Sequence, residues 1–445
     1  MNAVPGYIRG SVFEWFSHLW CTIASLYTSR ETVNKRLGDV LDTQYKLTDT
    51  EYLYGYSSRS LFHACVDGIK NRYGRPVNIV TTPFLHTGFQ RIINWTGSKG
   101  TYLDLTQYQP SWTDDQLANQ DLLLITHVFG NPFEIAQLVS RFRELNPEGV
   151  VVEDCVQAGF ISNYTGSRLV DLALFSAGQD KIPVGFGGGI GIFRNHQLYS
   201  QTQDQLLSLP VDGWWSRFTH LLFKIVFIIL YNFRPVIWLF KLGLRMLCIS
   251  PTKFTVRFRK KVPGFVHSYE KYYKQPSVSQ LLSIEKALVR DYSVDYFTTI
   301  SKREQFIHGL GRSGSNYLPW RQVLDYPTSS NYYNHIYVEN KDLFTRLMDK
   351  RNMIVVDQQS WYVDESSPTA KRLQDRMMLI PVFCNYTPER VHRIGKLLNE
   401  LAHAHPIFPL ATNLVSNHLR RPKPPEPGFV QNLLGVPQSF RGGAR

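Results

Sequence analysis

Short apolar runs separated by amphipathic stretches dominate the first half of the chain. The runs near residues 77–82, 101–105, 121–126, 149–153, 171–176 and 189–193 have the length of buried strands, and helical stretches alternate with them. That alternation predicts a mostly parallel sheet with helices on its faces, a three-layer α/β large domain over residues 51–212. Residues 1–50 read as a helical lead-in. A smaller C-terminal α/β domain over 265–401 is expected to fold back on the large one. Between the two domains, residues 213–264 form an apolar, basic helical insert. The tail from 402 to 445 is basic and Pro-rich, a composition that predicts disorder.

The predicted strand ends carry the candidate chemistry. Glu153 and Asp154 follow Val150-Val151-Val152, and Gln157 lies just beyond. The run Leu172–Phe175 delivers Ser176 and then Lys181, ahead of Gly185, Gly187, Gly188 and Gly189. Ligands of open α/β sheets collect at the carboxyl ends of strands, and glycines let backbone approach closely. An amine, an acid, an amide and a hydroxyl in this order are the parts of a pyridoxal 5'-phosphate (PLP) site. The amine holds the carbonyl, the acid keeps the ring nitrogen protonated, and the hydroxyl meets the phosphate. Taken singly, each has a plainer reading: Asp154 as a turn residue, Lys181 as a solvated loop residue, the glycines as a turn. Their joint order on two strand ends points to PLP.

These residues resemble a known family. VVEDCVQA (Val151–Ala158) resembles the V-I-E-D-A-A-Q-A signature of the DegT/DnrJ/StrS sugar aminotransferases, and FSAGQDK (Phe175–Lys181) resembles that family's S-x-x-x-x-K segment. Tyr56-Ser57-Ser58-Arg59-Ser60-Leu61 is similar to the turn that opens a helix and cups the cofactor phosphate. Thr82–His86 takes the place of the segment that stacks an aromatic ring on the cofactor, with His86 at the stacking position and Phe84 as the alternative. Weaker likenesses lie at Leu103-Asp104-Leu105, at Thr126–Pro132, and at Leu379–Val382 with Thr387–Val391, so the resemblance spans residues 50 to 401.

The resemblance implies a fold-type I PLP enzyme that moves an amino group, from glutamate, to a keto sugar, nucleotide-linked, for polysaccharide or glycoconjugate synthesis. It implies a homodimer. It gives Lys181 the cofactor linkage and the proton transfer, and sets Asp154 against the ring nitrogen. Gln157 and His86 would meet the ring, and Ser58, Arg59, Ser60 and Ser176 the phosphate. Dehydratase members of the family replace the lysine with histidine; Lys181 argues for transamination. In one place the chain departs from the pattern. Relatives reach the neighbouring subunit's site with G-x-N-x-R-M, whereas Tyr272–Ser279 holds neither Asn nor Arg, leaving Lys274 as a candidate replacement.

Charge adds what the signature does not contain. Of the net charge of +13, ten Lys or Arg with no Asp or Glu lie between Gly213 and Val262, and the tail from Ala402 adds +4, so the remaining body is close to neutral at −1. Trp214–Ile249 is also strongly apolar, yet its longest uncharged stretch, Ile225–Phe233, is too short for a bilayer crossing of about 20 residues. Pro235 is expected to split it into two helices. On these, Arg217, His220 and Lys224, and then Arg234, Lys241 and Arg245, would form thin cationic stripes beside broad apolar faces. Two readings stay open: an interfacial anchor on an anionic membrane, to which Phe13–Trp20 would add, or a hairpin packed on the enzyme body. Nucleic acid is not expected, because the faces are too apolar for it. The five cysteines, at 21, 65, 155, 248 and 384, have neither paired nor metal-ligand spacing. No metal is therefore expected, and a reduced cytoplasmic setting, peripheral on the inner face of a membrane in the first reading, fits best. No cleavable leader is expected at Met1–Gly10. Two functional alternatives accompany the main one: a lipid-linked or membrane-resident keto substrate, and a pseudoenzyme that keeps the fold without turnover.

Overall fold

The structure is a computed structural model. It describes residues 12–106, 109–127, 130, 133–160, 164–178, 181, 183, 185, 187–232, 235, 239, 242–244, 246–247, 273–290, 301–302, 304–311, 333–351, 356–357, 361–381 and 387–404.

Seven strands form the central sheet: β1 (Glu51–Gly55), β2 (Asn78–Thr81), β4 (Lys99–Tyr102), β7 (Leu122–Thr126), β8 (Val150–Asp154), β9 (Leu172–Ser176) and β10 (Gly189–Phe193). Their order is β1-β10-β9-β8-β7-β2-β4. The run from β9 to β4 is parallel, and β10 and β1 close the other edge antiparallel. The inner parallel strands read as near-continuous buried runs because helices cover both faces: all five residues of β7 and of β8 are buried, whereas β4 at the edge begins with exposed Lys99 and Gly100. Each such Leu, Ile or Val contributes about 1.5–3 kcal/mol of burial.

One face of the sheet is covered by α3 (Ser58–Tyr73), α4 (Thr87–Trp95) and, after β10, α7 (His196–Leu207), giving a core that includes Phe62, Ile69, Phe89 and Leu198. The opposite face meets α6 (Ala136–Leu145) and two lead-in helices, α1 (Val12–Ala24) and α2 (Arg30–Tyr45), together with α9 (Val278–Val289). Ser29 caps α2 through the amide of Thr32, and α2 buries Val33, Leu37 and Leu41 at helical spacing. α8 (Trp214–Asn232) lies against α1 and α9. Among the described residues no helix is long and apolar enough to cross a membrane.

A second, three-stranded antiparallel sheet orders β11 (Tyr333–Tyr337), β14 (Met377–Pro381) and β12 (Val356–Asp357). Its core holds Phe306, Phe344, Met378 and Val391, with α10 (Lys341–Lys350) and α12 (Pro388–Ala404) beside it. The two sheets are stapled through the start of α11 (Pro368–Arg376). Asp104, in β5 (Asp104–Thr106), accepts from the amides of Thr369 and Ala370 at 3.2 and 3.0 Å, and Ser367 Oγ donates to the Leu103 carbonyl at 2.5 Å. A carboxylate at a helix amino terminus is favoured by the helix dipole. A two-residue ladder between β3 (Leu85–His86) and β13 (Trp361–Tyr362) adds a second clasp beside it.

β1 had no counterpart in the apolar pattern; the sheet is mostly parallel as expected, with β1 and β10 antiparallel at one edge. One expectation needs correction. Arg217 does not lie on a solvent-facing cationic stripe: it is only 2% exposed and turns inward with Leu221 and Ile225. The side chain of Lys224, residues Arg234, Lys241 and Arg245, the basic cluster at 253–261, Val128, Phe129, Asn131, Pro132, Val382, and the tail from 405 onward lie outside what is described, as do Cys248 and Cys384. Cys21, Cys65 and Cys155 are buried free thiols.

Candidate active site

The carboxyl ends of β7, β8 and β9 lie side by side, with Thr126 opposite Asp154 and Asp154 opposite Leu174. The backbone fixes Asp154 from both flanks: its carbonyl accepts from the His127 amide at 3.3 Å, and the next amide, Cys155, donates to Leu174 at 2.9 Å. Its carboxyl is buried and accepts from the Val156 amide at 3.1 Å. Burial pushes this acid up to about 6, against the opposing pull of the Val156 amide, Lys181 and His127. Lys181 therefore lies close enough to Asp154 to be felt electrostatically. Lys181 is half-buried, in a turn closed by its amide on the Gly178 carbonyl at 3.1 Å. Gln157 is also half-buried, and its buried Oε1 has no hydrogen-bond partner among the described residues.

The opposite wall is the amino terminus of α3. Ser57 and Ser60 form a capping box: Ser57 Oγ accepts from the Ser60 amide, and Ser60 Oγ accepts from the Ser57 amide at 2.9 Å while donating to the Ser57 carbonyl at 2.7 Å. Ser60, one of the expected phosphate contacts, thus uses its hydroxyl in the cap; Ser58, behind it, is buried. The helix start can lie this close to the sheet only because of paired glycines. Gly55 and Gly189 face each other in the β1–β10 register, and a Cβ on Gly189 would sit 2.3 Å from the Ser57 carbonyl carbon. Ser176, opposite Gly189, has its hydroxyl 3.4 Å from the Gly188 carbonyl, so β9, β10 and the α3 terminus meet at one point.

His86 and Arg59 converge from the side. His86 Nδ1 accepts from the Gly88 amide at 3.0 Å and so caps α4, and a Cβ on Gly88 would lie 2.5 Å from Arg59 Cδ. Of the two aromatic candidates, Phe84 is fully buried, whereas His86 keeps exposed surface. The His86 ring meets Trp361 edge-on, with centroids 6.2 Å apart. Trp361 had no place in the sequence reading; it arrives through the β3–β13 ladder, for which a two-residue strand leaves no signal. Lys274, the candidate replacement for a cross-subunit cation, has its Nζ 3.5 Å from Asp212 of its own chain.

A second cluster lies behind the strand ends. Glu153, the residue before Asp154, is fully buried, with His127 Nε2 at 2.5 Å from Oε1, the Tyr164 hydroxyl donating to the same oxygen, and the Ser167 amide donating to Oε2 at 2.7 Å. Burial pushes Glu153 up, but the hydrogen bonds from His127, Tyr164 and Ser167 outweigh it and hold the carboxyl below its usual range. Cys155 joins His127 and Glu153 in a group whose ligand atoms lie within 4.8 Å of one another. The carboxylate is already saturated by three donors, and burial raises the thiol well above its ordinary value, so the group reads as a hydrogen-bonded core network.

The fold has relatives among solved structures. A sugar aminotransferase of Streptococcus pneumoniae, Spr1654, in its PMP-form, superposes with a TM-score of 0.62 at 12% identity, covering 90% of this chain and 99% of that one. The sugar aminotransferase CalS13 of Micromonospora echinospora gives 0.58 at 13% identity over 89% and 99%, and the histidinol-phosphate aminotransferase of Clostridium acetobutylicum gives 0.54 at 10% over 91% and 99%. The fold is that of the fold-type I aminotransferases. No protein-family model and no curated protein matches the sequence.

The crevice fits the cofactor that such folds hold. A buried acid raised by desolvation is stabilised by a cationic ring nitrogen; the Oε1 of Gln157 is an acceptor without a donor among the described residues; the α3 terminus and Arg59 offer donors and positive charge to a phosphate. PLP carries all three complementary groups, and Lys181 is the amine beside them.

Proposed function

We propose that this protein is a PLP-dependent aminotransferase that moves an amino group from glutamate to the keto group of a sugar, with the sugar carried on a nucleotide. What supports the reading is the buried Asp154 at the carboxyl end of β8, within electrostatic reach of Lys181, with the α3 amino terminus packed beside the end of the neighbouring β9. PLP, when bound there, supplies a carbonyl that captures amines and a ring that draws electrons from the substrate carbon. The protein does the rest. Asp154 would pair with the protonated ring nitrogen, whose charge would offset the cost of burying the carboxylate. Gln157 and His86 would contact the ring, and Arg59 and Ser176, with the helix start formed by Ser58 and Ser60, would hold the phosphate. Lys181 Nζ would hold the cofactor and serve as the general base and acid for the reacting carbon.

The deciding variant is Lys181→Ala. It should fold, lose the visible absorption of lysine-bound PLP, and lose transamination by at least about 10²-fold, the scale of one general acid–base group. Retained absorption together with retained turnover would remove Lys181 from the mechanism. A wild-type protein that binds PLP but shows no spectral response to glutamate, or to other amino acids, would favour a non-catalytic relative of the same fold.

A further inference from the structure

α1 and α8 adjoin one another, and each presents large apolar side chains outward. α1 buries His18, Cys21 and Thr22. His18 Nδ1 lies 2.8 Å from Ser283 Oγ, Thr22 Oγ1 lies 2.9 Å from Ser279 Oγ, and the Thr22 carbonyl accepts from Trp214 Nε1 at 2.7 Å. Burial, with Lys286, Arg217 and Arg290 nearby, pushes His18 down to about 3, so it sits inside as a neutral ring. α8 likewise turns Arg217 inward with Leu221 and Ile225. The outward positions include large apolar side chains: on α1, Phe16, Trp20 and Ile23; on α8, Trp215, Leu222 and Phe223, with Ser216 and Thr219 exposed among them. Trp20, Trp215 and Phe223 are 65%, 66% and 64% exposed. On α1 this reverses the usual arrangement of a surface helix, and exposed aromatics in such density on both helices mark a contact surface.

We propose that the outward faces of α1 and α8 seat this protein on an anionic lipid surface, lying in the headgroup zone without crossing it. Three observations select this occupant. No described helix is long and apolar enough to span a bilayer. Tryptophan and phenylalanine at outward helical positions are the side chains that partition into the interface. The stretch of sequence from Gly213 to Val262 that contains α8 carries ten basic residues and no acidic one, so with Arg217 turned inward nine further cations remain in this stretch. A second copy is a poorer partner. A two-fold contact places the same patch against itself and would bring two such cationic segments together. Anionic lipid has the complementary charge. The attachment holds whether or not the proposed chemistry does, and would bring the crevice to substrates made at a membrane.

Sedimentation of the full-length protein with vesicles of phosphatidylcholine, alone and mixed with phosphatidylglycerol, tests this. Uptake should require phosphatidylglycerol and weaken as salt is raised. It should fall on the order of tenfold or more in the variant Trp20→Ser/Trp215→Ser/Phe223→Ser. All three side chains are largely exposed, so the variant should keep its circular dichroism and its uptake of PLP. Wild-type protein that ignores anionic vesicles, or vesicle binding that the triple variant leaves unchanged, would overturn the proposal. A wild-type dimer that ignores vesicles and dissociates in the variant would assign the faces to a second copy instead.

Discussion

Glu153 and Asp154 are consecutive on β8, are both buried, and open onto opposite regions of the molecule. On the Glu153 side every carboxylate oxygen is taken, by His127, Tyr164 and the Ser167 amide, and the acid is held below its usual range. On the Asp154 side the carboxyl accepts one backbone amide, and burial wins. The same residue class in the same strand is thus finished in one region and unfinished in the other. Burial alone marks neither as functional; the bonding that remains open does.

The largest effect is expected from breaking the finished side. Glu153→Ala would leave the His127 ring, the Tyr164 hydroxyl and the Ser167 amide without their acceptor inside the core. Removing one member of a buried charged network costs about 3–5 kcal/mol, so chemical denaturation of cofactor-free protein should show a loss of that size. A loss under about 1 kcal/mol would mean that water or rearrangement satisfies the cluster, and that the two sides of the strand are not as different as their bonding suggests.

Asp154→Asn should do the reverse. The folded-state pKa is raised from 3.8 to about 6, so between those values the folded protein keeps a proton that the unfolded chain has lost. Stability then falls as pH rises through this window, and the penalty is complete above about pH 6. A difference of about two units corresponds to roughly 3 kcal/mol. The amide cannot ionise and can still accept from Val156. Cofactor-free Asp154→Asn should therefore be more stable than wild type by up to about 3 kcal/mol at pH 8, with the difference shrinking toward pH 4. In the presence of PLP the order should invert, because only the carboxylate can pair with a ring cation. Denaturation midpoints at several pH values, with and without PLP, read both arms. An Asn variant that is less stable at pH 8 without cofactor would show that the carboxylate is already satisfied.

Much of this was legible in the chain, for reasons that differ by element. β2, β7, β8, β9 and β10 form where apolar runs lie, because a buried parallel strand writes itself as a continuous apolar stretch. Asp154 and Ser176 end β8 and β9, so strand register sets both at the same edge of the sheet, with Gln157 and Lys181 a few residues further along the chain. β1 was not legible: Glu51–Gly55 mixes polar and aromatic residues, and its place depends on pairing with Gly189–Phe193, far along the chain. Trp361 reaches His86 through an equally non-local ladder. The insert shows a subtler limit. Helical periodicity grouped Arg217 with His220 and Lys224 on one stripe, but periodicity does not say which side of a helix faces in, and Arg217 is buried with Leu221 and Ile225. Only the packing of α8 against α1 and α9 turns the arginine inward and the aromatics out.

The smallest effects come from the pair Ser60→Ala and Gln157→Leu, and they sharpen the contrast most. The Ser60 hydroxyl is bonded twice within its own capping box. Its removal should cost about 1 kcal/mol of stability, the usual worth of a helix cap, with little change in PLP affinity, since the helix amides and Arg59 would remain. Gln157 Oε1 is buried with no partner among the described residues, so a leucine of similar size removes an unpaired polar atom and should leave cofactor-free stability unchanged or raised by up to about 1 kcal/mol. PLP affinity should fall in that variant instead. Thermal shift without cofactor and equilibrium titration with PLP separate the two readouts. If Ser60→Ala lowers affinity more than stability, the capping hydroxyl also reaches the phosphate, and the helix start belongs to the unfinished side of the site. If Gln157→Leu is destabilising without cofactor, the amide already has a role in the protein, and the open side of the crevice shrinks to Asp154 and Lys181.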